Sequence, residues 1–100
     1  MKKSVTLHRG DGYSIRASLK ENNQLYILYD DHGGPFNTYE HHMTLTEEAT
    51  QKLCKIYDCP LDNLLDHVKK NFKGPEADTK LKEFCKEQNL QYDAFVWMDD

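Results

Sequence analysis

The spacing of apolar residues changes near residue 45, and this change constrains the fold more than any other feature of the chain. Before it, apolar and polar residues alternate, as in the segment 13–19. A period of two puts one side of an extended chain in a core and the other in water, which predicts β-strands. After residue 45 the apolar residues recur at steps of three and four, the spacing of helices. Strands followed by helices indicate an α+β fold.

Four strands are predicted in the first half, joined by short turns. The predicted strands are 5–9, 13–19, 25–29 and 36–45. Gly10-Asp11-Gly12 and Asn22-Asn23 contain residues that tolerate positive φ, so they favour tight turns and an antiparallel meander. The segment 25–29 has a bulky residue at almost every position, and we expect this strand to be central and covered on both faces. A longer loop is expected at 30–35.

Three helices and a last strand are predicted in the second half. The first helix begins at a cap formed by Thr44 with Glu47, or by Thr46 itself. Pro60 suits the first turn of the second helix, and Gly74-Pro75 ends that helix. The third helix spans about 76–89, and the apolar segment 92–98 is too short for a further helix, so we expect a strand that returns to the sheet. Residues 1–100 are thus predicted to form a single α+β domain, with the helices on one face of the sheet.

Several classes of protein are excluded by composition. No apolar run approaches the roughly 20 residues of a membrane helix, and no apolar segment follows the first basic residues as in a signal peptide. The chain has three cysteines, an odd number, and Cys54 and Cys59 are five residues apart rather than at the spacing of metal ligands. We therefore expect reduced thiols in the core, no metal or other cofactor, and a cytoplasmic location.

Residues that commonly perform catalysis do not form a recognisable motif. His41 and His42 are adjacent, so on a strand they point to opposite faces. His8 and His41 could approach each other across strands. One hypothesis is therefore a small enzyme or ligand-binding domain that uses His8, His41 or His42 beside a tyrosine.

The segment 46–73 has the outline of a helix-turn-helix, but its charges argue against DNA binding. Asp62 and Asp66 lie near the start of the second helix, the part that would enter the groove. Phosphates would repel them, because affinity for nucleic acid depends on neutralising the backbone. We expect no direct contact with nucleic acid.

The negative charge is concentrated in the helical half. The chain has a formal charge of −4; residues 1–45 are neutral overall, and the excess lies in 46–100. Three groups of residues combine carboxylates with aromatic rings or form an acidic stripe. They are Tyr29, Asp30 and Asp31 at the long loop; Asp58, Asp62 and Asp66 along the second helix; and Trp97, Asp99 and Asp100 at the C-terminus. Aromatic rings give rigid contact area and carboxylates steer association, so these groups predict binding to a basic protein partner.

In size, charge and its plan of a strand meander followed by helices, the chain resembles the immunity proteins that bacteria make against toxins delivered by neighbouring cells, notably those of contact-dependent growth inhibition. The resemblance covers the whole chain and involves no shared motif, so no residue role is transferred. It implies a binding module rather than an enzyme, with a cognate toxin as partner, often a nuclease whose cationic cleft an acidic inhibitor occludes. A third hypothesis, an inhibitor that imitates nucleic acid, needs a denser anionic surface than a charge of −4 provides.

Overall fold

The protein has two layers, a five-stranded antiparallel sheet and three helices that pack on one of its faces. The computed structural model describes residues 4–10, 12–31 and 38–99, and for Thr38 and 97–99 it describes the backbone alone. The elements are β1 (Ser4–Gly10), β2 (Tyr13–Leu19), β3 (Leu25–Asp31), β4 (Thr38–Leu45), α1 (Glu47–Ile56), α2 (Leu61–Phe72), α3 (Ala77–Gln88) and β5 (Tyr92–Asp99). The predicted α+β class is confirmed. No helix in the described part of the chain has the length and apolar character needed to cross a membrane.

The strands lie side by side in chain order. Each pairs antiparallel with the next, so β1 and β5 form the two edges and β3 is central. The β2–β3 turn uses Asn23 at φ 64°, as the sequence predicts. At the β1–β2 connection Gly10 has φ 142° and Gly12 has φ 86°, angles that glycine adopts without strain. A register shift between Thr6 and His8 interrupts the β1–β2 pairing.

One face of the sheet, which we call the helix face, forms the core with the helices, and the other is the open face. On β3, Leu25 and Ile27 are buried on the helix face, whereas Tyr26 and Leu28 are half-buried on the open face. The expectation that this strand is covered on both faces is therefore wrong, because all three helices lie on the same side. The fully buried helix residues include Leu53, Leu64, Leu65, Val68 and Leu81.

The observed ends of the strands and helices change the location of two of the predicted acidic groups. Asp30 and Asp31 belong to β3 rather than to the following loop, because β3 continues to pair with β2 and β4 to its end. Asp58 lies between α1 and α2 with φ 51°, outside either helix. The acidic stripe along α2 therefore consists of Asp62 and Asp66 alone. Residues 36 and 37 of the predicted fourth strand lie outside the described residues.

The helix ends follow the predicted caps, with one shift. Thr46 is the N-cap of α1, where its hydroxyl oxygen accepts a hydrogen bond from the Ala49 backbone N–H at 3.0 Å. Pro60 lies one residue before the first turn of α2. At the end of α3, Asn89 adopts the left-handed conformation that commonly ends a helix.

Candidate functional site

A cleft opens where β3 and β4 meet the start of α3. It is open to solvent and has a volume of about 520 Å³, within the range of roughly 300–1,000 Å³ that is typical of small-molecule sites. The described residues that line it are Tyr29, Asp31, Tyr39, His41, Pro75, Asp78 and Thr79. Two of these residues are carboxylates, and none of the described lining residues is a lysine or arginine.

The strand register brings the β residues of the cleft together. Tyr29 pairs directly with His41, and Asp31 pairs with Tyr39, so all four side chains lie on the helix face at the same end of the sheet. The start of α3 is held against this end by the Gly74 backbone N–H, which donates a hydrogen bond to the Leu7 carbonyl at 2.9 Å.

The turn before α3 has a second attachment to the sheet. The Tyr13 hydroxyl donates a hydrogen bond to the Pro75 carbonyl at 3.3 Å. Gly74 itself has φ 125°, a conformation that side chains disfavour, which explains glycine at this turn. Both contacts fix the position of Asp78, in the first turn of α3, above the strands.

A row of aromatic rings borders the cleft and crosses four strands. The ring of His8 lies 4.8 Å from that of Tyr13, which stacks on Tyr29 at 5.0 Å. The rings of Tyr29 and Tyr39 meet edge to face, with centroids 5.8 Å apart and planes at 85°. The last pair therefore supplies two nearly perpendicular aromatic walls to the cleft.

His41 lies between a carboxylate and an ammonium group. Its Nδ1 is 3.6 Å from Oδ2 of Asp78, and its Nε2 is 3.4 Å from Nζ of Lys82. An ammonium group only donates hydrogen bonds, so Nε2 is the acceptor in this arrangement and Nδ1–H points towards Asp78. The ring is thus held in one orientation by two residues of α3.

The Tyr29 phenol lies in a cleft that is also lined by two carboxylates, those of Asp31 and Asp78. Burial is the main reason why the pKa of the Tyr29 phenol is raised, and the nearby Asp31, Tyr13, Asp78 and Tyr39 raise it further. A carboxylate disfavours a second negative charge beside it, so the phenol stays protonated at neutral pH and can donate a hydrogen bond.

A site that combines His8 with His41, which the sequence leaves open, is not formed. His8, Ile15, Tyr29 and His41 follow one another in the register across β1 to β4. Three strand spacings separate the two histidines by roughly 14 Å. The meander keeps the strands in chain order, so β1 and β4 cannot become neighbours, and this hypothesis is wrong for His8 with His41.

His42 occupies the open face, opposite to His41 as the alternation predicts. Its Nδ1 is hydrogen-bonded to the Tyr26 hydroxyl, and its Nε2 lies 2.9 Å from Oε1 of Glu40. The imidazole also stacks on Phe95, with ring centroids 4.4 Å apart and planes at 4°. Burial, then the charges of Glu40 and Asp30, raise the pKa of Tyr26. The histidine therefore connects β3, β4 and β5 through polar and aromatic contacts.

The second feature with functional potential is the β5 edge, by which we mean the outer side of β5 with its exposed residues Ala94, Phe95 and Val96. Phe95 is 59% exposed on the open face and Val96 is 50% exposed on the helix face. Within the described part of the chain β5 pairs with β4 only, so its outer backbone groups are free to accept another strand. Tyr92 at the start of β5 packs against the core, but Ala94 and Val96 on the helix face are exposed.

The predicted partner-binding residues do not form one surface. Tyr29 and Asp31 line the cleft, whereas Asp30 pairs with Glu40 on the open face. Asp62 and Asp66 are exposed on α2, and Asp58 is exposed between α1 and α2. The backbones of Trp97 and Asp99 belong to β5, and Asp100 lies outside the described residues.

Sequence reasoning missed Asp78 as a site residue. An acid in the first turn of a helix is common because it complements the helix dipole, so its position in the sequence gives no signal of a cleft. The turn at Gly74-Pro75 was predicted, but the strand that α3 would then face was not.

Within the described residues, no group of three or more His, Cys, Asp and Glu side chains is arranged to hold a metal ion. Neither a protein family, nor a curated protein, nor a solved structure matches this chain.

Proposed function

We propose that this chain is a cytoplasmic protein-binding module that occludes a basic protein partner, as an immunity protein does for a toxin nuclease. The observation that supports this most directly is the β5 edge, where the described strands leave the outer side of β5 without a partner and apolar side chains are exposed on both faces. Natural proteins protect such edges with charges, bulges or covering elements. An edge without protection in its centre is a place where another chain can add a strand.

The exposed backbone and apolar groups of the β5 edge are better suited to contact with another protein chain than to contact with water. The outer N–H and C=O groups of β5 can form a ladder with an added strand, and Phe95 and Val96 can contact alternate side chains on its two faces. The aromatic and aliphatic residues supply the apolar area, which is the usual source of affinity in the centre of an interface.

The charge around β5 favours a basic partner. Residues 89–100 include three aspartates and no lysine or arginine. Pairing of β5 with a second copy about Val96 would place Asp93 opposite Asp99 of the other chain, and like charges in that position are destabilising. A strand that contains lysine or arginine would instead form favourable cross-strand pairs.

The proposal is tested by isolating the partner and measuring its complex. The tagged protein is purified from the cells that naturally make it, and any stoichiometric partner is identified by mass. We expect a basic protein that stops growth when it is expressed alone and that is harmless when it is expressed with this chain. Recovery of no such protein, or of one that this chain does not neutralise, would contradict the proposal.

A matched pair of variants then tests the β5 edge. Val96→Lys puts a cation in the centre of the edge, and we expect it to weaken the complex more than tenfold, because it removes an apolar contact and repels a basic partner. Thr6→Lys puts the same cation on an exposed position of β1, the opposite edge, and serves as the control. Equal affinities for the two variants would exclude β5 as the interface.

The cleft supports a second candidate function, a small enzyme or ligand-binding domain that uses His41 beside a tyrosine. The specific observation is an oriented imidazole within a cleft of about 520 Å³. Thermal unfolding is measured with panels of nucleotides, metabolites and divalent metals. A rise of several degrees with one class of compound, absent in His41→Phe, would favour this function.

A further inference from the structure

We propose that the cleft between β4 and α3 binds the guanidinium group of an arginine side chain contributed by the partner. The inference rests on the proposed function, since it names the side chain of the basic partner that this part of the molecule recognises. The cleft combines aromatic rings with carboxylates.

The first step is the pair of aromatic walls. Tyr29 and Tyr39 stand at 85° to each other with centroids 5.8 Å apart. Perpendicular rings are a common way to surround a cation, which is attracted to the negative face of each ring. A guanidinium group is planar and stacks on such a face better than an ammonium group does.

The second step is the position of the carboxylates. Asp31 and Asp78 line the same cleft from opposite layers, one at the end of β3 and the other in the first turn of α3. Carboxylates accept hydrogen bonds from guanidinium in a planar, two-pronged geometry. The two aspartates and the two rings therefore offer the kinds of contact that arginine makes.

A lysine lies near the cleft, on the far side of His41. Lys82 contacts the far side of His41, with Nζ 3.4 Å from Nε2, and it is not among the described residues that line the cleft. His41 places Nδ1 3.6 Å from Oδ2 of Asp78 on the same wall of the cleft.

The cleft also lies close to the proposed strand-binding edge. His41 pairs with Val96 in the register, so the wall of the cleft and the exposed helix-face side of β5 are adjacent. A partner that adds a strand to β5 could thus insert a side chain into the cleft from a neighbouring segment. This proximity favours an arginine from a protein over a free small cation.

The test uses the intact chain and a defined probe. Amide chemical shifts are followed while N-acetyl-arginine amide is added, and the neutral isostere N-acetyl-citrulline amide is the control ligand. We expect the arginine probe to shift the signals of Tyr29, Tyr39, His41 and Asp78, and the citrulline probe to leave them in place. Equal shifts with both probes, or shifts confined to other residues, would overturn the inference.

Substitutions test separately how much the Asp78 charge and the Tyr39 ring contribute to binding of the arginine probe. Asp78→Asn should weaken binding of the arginine probe at least about tenfold, the lower end of the range for a hydrogen bond to a charged group. Tyr39→Ala should weaken it about threefold, whereas Tyr39→Phe, which keeps the ring, should change it less than twofold. Asp62→Asn removes a charge from exposed α2 and should have no effect. An Asp78→Asn variant that binds as well as the unmodified chain would overturn the inference.

Failure of the arginine inference can be distinguished from failure of the proposed binding function. Val96→Lys tests the complex and does not enter the probe titration, whereas Asp78→Asn is measured in both experiments. If the partner is recovered and neutralised but Asp78→Asn leaves the affinity of the complex unchanged, the arginine inference fails and the binding function stands. If the probe binds as expected and Asp78→Asn also weakens the complex, the inference is supported.

Discussion

At the scale of single residues, Thr50 joins the two layers through one hydroxyl group. It is the one polar side chain that is fully buried in the described core. Its hydroxyl accepts a hydrogen bond from the Leu25 backbone N–H at 3.0 Å and donates one to the Thr46 carbonyl at 2.9 Å. The start of β3 thus depends on a side chain of α1 to satisfy a buried backbone donor.

Thr50→Val removes the hydroxyl while it keeps the shape of the side chain. The Leu25 N–H then loses its acceptor in a buried position, and we expect the free energy of unfolding to fall by about 1–3 kcal/mol. Urea denaturation at neutral pH measures this change. Thr50→Ser keeps the hydroxyl and is the control for the hydrogen bond. If valine proves as stable as threonine, the hydroxyl does not have this role.

At the scale of elements, the strands were predictable because a half-buried strand has a strict period of two. Tyr13 to Leu19 alternates through β2, and the observed strand has the same bounds. The sequence did not predict which part of β5 the helices would cover. Its apolar sequence predicts a strand, but whether helices lie over Ala94 and Val96 depends on how far the helix layer extends, which no local pattern records.

The candidate site shows the same division between local and tertiary information. Tyr29 and Asp31 were selected from the sequence for their acid-aromatic character, and His41 for its chemistry. Their positions on one face follow from alternation. Asp78 joins them only because Gly74 attaches the start of α3 to β1, a contact between residues 67 positions apart. The cleft therefore depends on packing between layers, which the sequence alone does not display.

The acidic stripe on α2 is predicted to act on association rather than on the bound state. Asp62 and Asp66 are exposed on α2, away from the β5 edge. Charges at such a position attract a basic partner over a distance but need not contact it in the complex. We expect Asp62→Asn combined with Asp66→Asn to lower the association rate about two- to fivefold, with little change in the dissociation rate. Stopped-flow binding at low and high salt measures both.

The salt dependence provides the control for this prediction. Exposed charges are screened within about 10 Å at 0.1 M salt, so the difference between the variant and the unmodified chain should shrink as salt increases. A variant whose dissociation rate rises instead would show that these aspartates lie inside the interface.

At the scale of the whole molecule, the junction of the three helices contains cysteine thiols and a tyrosine phenol whose raised pKa values favour the protonated form. Burial raises the pKa of Cys54 to about 11, with a further contribution from Cys59, and burial raises that of Cys85 to about 11. Burial and then the nearby thiols Cys85 and Cys59 raise the pKa of Tyr57 to about 12. The Tyr57 ring also stacks with His67 of α2 and Phe84 of α3.

These raised values predict that the fold loses stability in alkali. Between the ordinary pKa and the raised one, the unfolded chain gives up a proton that the folded chain retains, which favours unfolding. The stability contributed by these groups is therefore complete below about pH 8.5, the ordinary value of a thiol, and is lost as the pH rises towards 11 and 12. The free energy of unfolding in urea at pH 7.5, 9.0 and 10.5 should fall steadily.

A comparison of slopes assigns this pH dependence to the helix junction. Each variant is compared with its own value at pH 7.5, which removes the cost of the cavity that the substitution creates. Cys54→Ala combined with Cys85→Ala should flatten the decline between pH 8.5 and 10.5, and Tyr57→Phe should flatten it mainly above pH 10, because a phenol titrates later than a thiol. Cys59, Tyr26 and Tyr29, whose pKa values are also raised, account for a remaining decline. Identical slopes in the unmodified chain and the double cysteine variant would show that the alkaline loss arises elsewhere.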